Sequence, residues 1–511
     1  MWRFLKLAEF RLLPRLLLTC LLAAWAVGAM AQEVVRFGPP VPAPPPAVAL
    51  SASGYQEFLD RLGAMEQRLD QVTKQNEDLR GENQALSYRL QYPYSGILGK
   101  LGLHDYYDFD NGGFHLETAD KEFSFAVSGL AQLDGMLYAR PTPGVATSGF
   151  YNPATWIIFK GHATEPIFWE FSFSNFYDVV ALLDAYINFN YDQRFQVQIG
   201  RYKTPFGYEF YHMKLWDLMA PERSLFANNY SGNRRFGVMG HGELFDQRLE
   251  YALGAFNTQR NSLRPFNNRQ DLEGFLNFKP FCNREEGFLL RNLQFGGSVD
   301  VGNENQPPVP ALLRTNQGEG GAQFESTVAS SAASIPFLAF GPNVIERGPR
   351  ALWVAHLAYY RGGLSLLIEL QGGQESYSNG PRAPVRIPLD GWFVQAGYLL
   401  TGETIRDRTT IQPLRPFDLR PDRFGIGAWE PTARYSQLDL DSRIFTAGLA
   451  DPNLWTNHAK LVDVGVNWYL NQFIRVTFDW EHAIFGSPVF SSSGQFRRSS
   501  DLFWLRAQLF F

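Results

Sequence analysis

Over residues 499–511 apolar and polar side chains alternate up to the end of the chain. Phe503, Leu505, Ala507, Leu509 and Phe511 share one face, and Trp504, Arg506 and Gln508 share the other with Phe510. A period of two is that of a β-strand whose two sides meet different surroundings. The pattern recurs at Ile474, Val476, Phe478 and Trp480 against Arg475, Thr477, Asp479 and Glu481. It recurs again at Val462, Val464, Val466 and Trp468 against Asp463, Gly465 and Asn467. From about Leu101 it predicts strands near 122–139, 155–164, 166–175, 181–191, 194–203, 235–244, 248–257 and 270–281. The series continues near 288–303, 350–361, 363–376, 389–402, 424–438, 459–470, 473–485 and 499–511, sixteen strands in all. Such strands suit a wall between lipid and water, or the half-buried sheet of a soluble sandwich.

The links separate these alternatives. In a membrane barrel every second link is a short periplasmic turn. The shortest links, Thr164-Glu165, Tyr191–Arg194, Phe245–Arg248, Arg361–Gly363 and Asn471-Gln472, all fall on one side. The long links 140–154, 204–234, 258–269, 304–349, 439–458 and 486–498 fall on the other. A sandwich has no reason to sort its loops in this way. Two links fit less well: 176–180 is short for an outer loop, and 403–423 is long for a periplasmic turn. The expectation is an all-β chain, a 16-stranded antiparallel transmembrane β-barrel over residues 101–511.

The period changes upstream. Phe58, Leu62, Met65, Leu69, Val72, Asn76, Leu79, Asn83, Leu86 and Leu90 alternate spacings of four and three. That is the seam of an N-terminal α-helical coiled coil, placed at residues 54–92 in the periplasm. A rod over residues 58–90 measures roughly 50 Å at about 1.5 Å per residue. A helix packed on the barrel would carry a wider apolar stripe. Residues 32–53, with the run Pro39–Pro46, form a proline-rich linker. Residues 1–31 read as a signal peptide: Arg3, Lys6, Arg11 and Arg15, an apolar Leu16–Val27, then Ala29-Met30-Ala31.

Composition sharpens this picture. No run after the signal approaches 18 apolar residues, which excludes helical spans, yet the chain has 43 Phe, 22 Tyr and 46 Gly. The signal's net +3 leaves −8 on the mature chain from a total of −5, which argues against nucleic acid as a partner. Cys282 alone follows the signal, so no internal disulfide or Cys-rich metal site is expected. No G-x-S-x-G occurs, the eight histidines form no H-E-x-x-H, and nothing calls for a cofactor or an enzyme.

Gly200–Gly207 (G-R-Y-K-T-P-F-G) resembles a motif of the phosphate-selective porin O and P family of Gram-negative outer membranes. Pro221–Ser224 (P-E-R-S), Gly397–Glu403 (G-Y-L-L-T-G-E), Gly427–Ser436 (G-A-W-E-P-T-A-R-Y-S) and Asn467–Asn471 (N-W-Y-L-N) resemble others, in the family's order. The resemblance covers about 110–511. It implies a homotrimer of sixteen-stranded barrels in outer-membrane lipid, each with a narrow pore for small anionic solutes. A terminal aromatic such as Phe511 implies recognition by the barrel-assembly machinery.

A pore selects by charge and constriction, and a guanidinium holds its charge while offering forked donors to oxyanions. Strand parity turns Arg434, Arg475 and Arg506 toward the lumen, either as pore charges or paired across it with Asp479 or Glu481. The 204–234 link, the third outer loop, brings Lys214, Arg223, Arg234 and Arg235. The 403–423 link brings Arg408 and Arg415, and folding inward accounts for its length. Only six lysines follow residue 100, so a lysine-rich mouth of the family's phosphate kind is not evident. The function expected is passive diffusion of small anionic or polar solutes, phosphate among the candidates. The alternative is an anchor that ties the outer membrane to peptidoglycan through the coiled coil.

Overall fold

In a computed structural model the described residues are Arg61, Gly63, 103–107, 113–142, 145–176, 179–316, 334–491 and 494–511. The chain divides into two units, Met1–Gln91 and Tyr92–Phe511, and the second holds the barrel. The signal peptide, the linker and the coiled coil lie outside the described residues, apart from helical Arg61 and Gly63.

A hairpin of β1 (Leu103–Tyr107) and β2 (Phe114–Thr118) precedes the wall. The wall begins with β3 (Ser124–Tyr138), β4 (Gly149–Thr164), β5 (Ile167–Phe176), β6 (Val179–Asp192) and β7 (Phe195–Lys203). It continues through β8 (Arg234–Leu244), β9 (Leu249–Asn257), β10 (Gln270–Phe278) and β11 (Asn292–Gln306). A small hairpin, β12 (Leu312–Arg314) with β13 (Pro336–Ala339), sits within the long loop that follows. The wall resumes as β14 (Val344–Arg361), β15 (Leu364–Asn379), β16 (Val385–Tyr398) and β17 (Ala428–Leu440). It ends with β18 (His458–Tyr469), β19 (Ile474–Ser491) and β20 (Gln495–Phe510). Each wall strand pairs antiparallel with the next, β11 pairs with β14, and β20 returns to β3 from Leu502↔Tyr138 to Phe510↔Leu130. That last ladder closes a sixteen-stranded antiparallel barrel. Phe511 exchanges two further backbone hydrogen bonds with Gly129 and extends the seam by one residue.

Burial is inverted relative to a soluble sheet. Leu133, Leu253, Leu276, Leu370, Phe478, Leu505 and Leu509 are exposed, whereas Gln132, Asp134, Asp271, Glu273, Glu369 and Arg506 are buried. A sheet with apolar side chains outside and charge inside is stable only where lipid bathes the outer face.

All sixteen expected strands are present, and several run further into the outer links than expected, with β4 starting at Gly149 and β14 at Val344. The outer link expected at 486–498 is mostly strand, because β19 and β20 stay paired out to Ser491↔Gln495. A register shift between Ile484 and Val489 interrupts the alternation there, which is why the period of two fades in the sequence. The short links remain at one end of the barrel, together with the end of β20.

Candidate functional site: a loop laid across the lumen

The loop between β7 and β8 runs into the barrel, and the 200–207 motif sends it there. Gly200 has φ +135°, and a Cβ would stand 2.2 Å from the Ala185 carbonyl oxygen on β6. Gly207, with φ +80°, turns the chain inward just before a π-helical turn, Tyr208–His212. Lys203 Nζ donates to the carbonyls of Phe210 (3.1 Å) and Met213 (3.2 Å), holding the first bend. The Gly207 N–H reaches Ser298 Oγ on β11 (2.8 Å), and the Glu209 N–H reaches Glu369 on β15 (2.6 Å).

The loop then lies along the inner wall of β17–β20, and its carbonyls are taken one after another by wall side chains. Gln508 donates to the Trp216 carbonyl (3.2 Å) and Arg475 to that of Leu218 (2.7 Å). Asn467 donates to that of Met219 (2.9 Å), Arg506 to that of Pro221 and Arg434 to that of Glu222 (2.6 Å). Arg408, from the opposite loop, donates to the Asp217 carbonyl (2.8 Å). The four bonds from arginine are charge-assisted and each worth about 1.5–3 kcal/mol, so the segment is firmly seated. A short helix, α1 (Leu225–Tyr230), follows, and Asn229 fixes it to β12 by donating to the Arg314 carbonyl (3.0 Å). At the long-loop end Phe226, Leu313, Ile335, Phe337 and Leu338 share one apolar cluster with wall residues such as Leu389 and Trp504.

The first part of the link between β16 and β17 also enters the lumen and meets this loop. His212 contacts Asp407 and Glu250 at 3.3 Å and 3.4 Å and stacks on Tyr208 with 4.5 Å between ring centres. Burial disfavours the imidazolium, but the hydrogen bonds and charges of Asp407 and Glu250 prevail and raise His212 to about 9. The same partner holds Asp407 below the usual carboxylate range despite its burial, while burial pushes Asp217 up to about 6. A raised folded pKa means stabilisation that is full below about 6.5 and is lost as pH rises through about 9. Thermal unfolding in detergent should therefore fall between pH 7 and pH 9.5 by more in wild type than in a His212→Gln variant. Equal losses in both proteins would exclude this clamp.

With the loop on the β17–β20 side, a cavity of about 290 Å³ remains against the opposite wall. Lys160, Lys203, Lys214 and Arg234 line it, against Glu170 and Asp184. Trp156, Tyr186, Tyr202, Tyr211 and Trp216 supply aromatic surface, and His212 completes the loop side. Arg234 grips both Asp184 oxygens at 3.0 Å and lies over the Trp156 ring, and Tyr186 donates to Glu170 (3.1 Å).

The expected pore residues thus separate into groups. Lys214 and Arg234 line the cavity. Arg434, Arg475 and Arg506 face inward as their parity implies, but they hold the loop, Arg434 also pairing with Asp463 and Arg506 with Asp134 and Glu222. Arg408 pairs with Glu430 (2.5 Å) and bonds Tyr469, and Arg223 donates to the carbonyls of Glu209 and Met213 within its own loop. Arg235 is buried in the β8–β11 wall with Asp271, Glu273 and Asp300, and Arg415 is exposed at the barrel's short-turn rim. Lys160, Lys203, Glu170 and Asp184 were not anticipated. Lys160, Glu170 and Asp184 are opposite in parity to the lipid-facing Ile157, Phe171 and Ile187, and that was the available signal; Lys203 shares the parity of lipid-facing Ile199 and gave none.

Residues 330–482 match the family described as Phosphate-selective porin O and P. Porin O of Pseudomonas aeruginosa is 29% identical over 91 residues, 18% of this chain and 20% of that protein. Over residues 330–482, less than a third of its length, the chain is similar to the phosphate-selective porin O and P family. The matched stretch of Porin O is thus a fifth of its length. The motifs Gly397–Glu403, Gly427–Ser436 and Asn467–Asn471 lie within the family match, and the loop motifs at 200–207 and 221–224 lie before it. OmpF of Salmonella typhi aligns over 77% of this chain and 100% of its own, at 13% identity and a TM-score of 0.46. An anion-selective porin from Comamonas acidovorans aligns over 76% and 100%, at 10% identity and a TM-score of 0.45. The family match and the barrel are those of an outer-membrane channel.

Proposed function

We propose that this porin-family barrel passes small anionic or polar solutes by diffusion, along the cavity between the inserted loop and the β4–β8 wall. The observation that carries this reading is the lining: Lys160, Lys203, Lys214 and Arg234, with His212 beside them, its pKa raised against its burial by Asp407 and Glu250, facing the carboxylates Glu170 and Asp184. Charge at the constriction decides which ions enter, because a Debye length of about 8 Å at physiological salt hides the acids on distant surfaces. Three of the six lysines beyond residue 100 stand here, so a chain without a lysine-rich mouth still concentrates positive charge at its narrow part. The loop-holding arginines Arg408, Arg434, Arg475 and Arg506 shape the opening by keeping the 216–222 segment against the far wall. In this reading the short-turn end faces the periplasm, three barrels assemble as a homotrimer, and Phe511 serves the barrel-assembly machinery. The solute is a small oxyanion, with phosphate one candidate.

The test is a planar-bilayer recording of the full-length protein under a tenfold potassium chloride gradient. A reversal potential on the chloride side supports the proposal. A potential on the potassium side overturns it, as does the absence of conductance from correctly folded protein.

A further inference from the structure

The link between β16 and β17 does two things, and only its first half enters the lumen. Residues 412–427 turn outward and lie on the outer surface of the barrel at the short-turn end. Asp418 and Gly425 bond each other in both directions, which makes the segment a small hairpin. Trp429 and Trp468 point outward from β17 and β18 and stack on each other, 5.1 Å between ring centres. Both indole N–H groups donate to the Ile426 carbonyl, at 3.1 Å and 2.8 Å, and Phe417 meets the Trp468 ring edge-on at 5.0 Å. The hairpin is therefore fastened to the outer wall by a tryptophan pair.

Its free side is apolar. Leu414, Leu419, Phe424 and Ile426 are 67%, 72%, 60% and 50% exposed. An exposed cluster of this kind is unusual unless something apolar covers it. Two features name the cover. The cluster is continuous with the barrel's outward apolar band through Leu400, Tyr398 and Val464, all exposed. Beside it stand Arg415, which is exposed, and Arg420 and Arg423, with side chains 65% and 68% exposed. Apolar residues flanked by tryptophans and arginines match the level where acyl chains give way to anionic headgroups.

We propose that residues 412–427 form an interfacial hairpin that seats in the lipid leaflet at the short-turn end, with Leu419 and Phe424 among the acyl chains. Its arginines lie among phosphate headgroups, and the hairpin widens the membrane-contacting belt on one side of the barrel. This explains why one turn-side link is long. It needs only the membrane barrel and is independent of which ion the pore passes.

The experiment uses full-length protein carrying Cys20→Ser and Cys282→Ser, with single nitroxide labels at Leu419→Cys or Phe424→Cys. The proteins are reconstituted in vesicles of phosphatidylcholine with or without phosphatidylglycerol. Power saturation should show strong relaxation by oxygen and weak relaxation by an aqueous nickel chelate. Phosphatidylglycerol should lower the chelate's effect further, and Arg420→Glu with Arg423→Glu should abolish that extra protection. Free access of the chelate at both sites overturns the proposal. So does exclusion of both relaxers, or spin–spin broadening between labels, since each means that protein covers the patch. A heat-modifiable gel shift confirms that every variant is a folded barrel.

Discussion

Changing Lys160 and Lys214 to Glu together should turn an anion-preferring channel into a cation-preferring one. The wild-type lining holds four Lys and Arg side chains and two carboxylates, besides His212 engaged with Asp407 and Glu250, and the double variant holds two Lys and Arg side chains and four carboxylates. Lys160 stands on β4 across from Glu170 on β5, so a glutamate there places two carboxylates side by side in the lining. Lys214 is exposed toward the opening and rests over the Trp216 ring, 5.5 Å from its centre. Neither substitution disturbs the carbonyl bonds that hold residues 216–222, so single-channel conductance should persist while the reversal potential changes sign. The shift should grow in dilute salt, where screening weakens. Arg415→Glu is the control: it alters charge by the same amount per site, at the short-turn rim outside the lumen, and should leave the reversal potential in place. If the double variant keeps the wild-type potential, the ions travel elsewhere and the lysine-lined path is not the pore.

How far this site was legible in the sequence depends on which interaction decides it. Parity was sufficient for the wall: Leu505 and Leu509 face out and Arg506 and Gln508 face in, as a strict period of two requires. The hairpins were legible because short turns leave the alternation uninterrupted on both sides. The inward facing of Arg434, Arg475 and Arg506 was legible for the same reason. What they bind was not, because their partners are backbone carbonyls at 218–222, more than two hundred residues away along the chain. A carbonyl leaves no trace in the side-chain pattern. The cavity was hidden for a related reason: which wall stays open depends on which wall the loop lies against. Lys203 sat in view within G-R-Y-K-T-P-F-G, but nothing local distinguished a strand-end lysine from one that bends a loop. The 403–423 link was expected to fold inward, and its division at about residue 412 reflects two outward tryptophans on strands β17 and β18.

Removing the Arg506 side chain tests whether the arginines hold the loop or line the pore. Arg506 and Asp134 are fully buried, Glu222 nearly so, and the guanidinium reaches Asp134 at 2.7 Å, Glu222 at 3.0 Å and the Pro221 carbonyl. Arg506→Ala takes from Asp134 and Glu222 the guanidinium they both pair with, and breaking such a buried set costs about 3–5 kcal/mol. The urea midpoint of the detergent-solubilised barrel, followed by tryptophan fluorescence, should therefore drop sharply. Conductance should rise and fluctuate, because the 216–222 segment loses one of its anchors on the β17–β20 wall. Neutralising the whole set, with Arg506→Met, Asp134→Asn and Glu222→Gln, removes the unpaired charge and should restore most of the midpoint. It should not restore the wild-type conductance, since the Pro221 carbonyl still lacks its donor. A pore-lining arginine behaves differently: its loss changes ion preference at constant stability and a steady current. An Arg506→Ala channel with that second pattern would show that the guanidinium faces the solute path and that the loop is held by other residues.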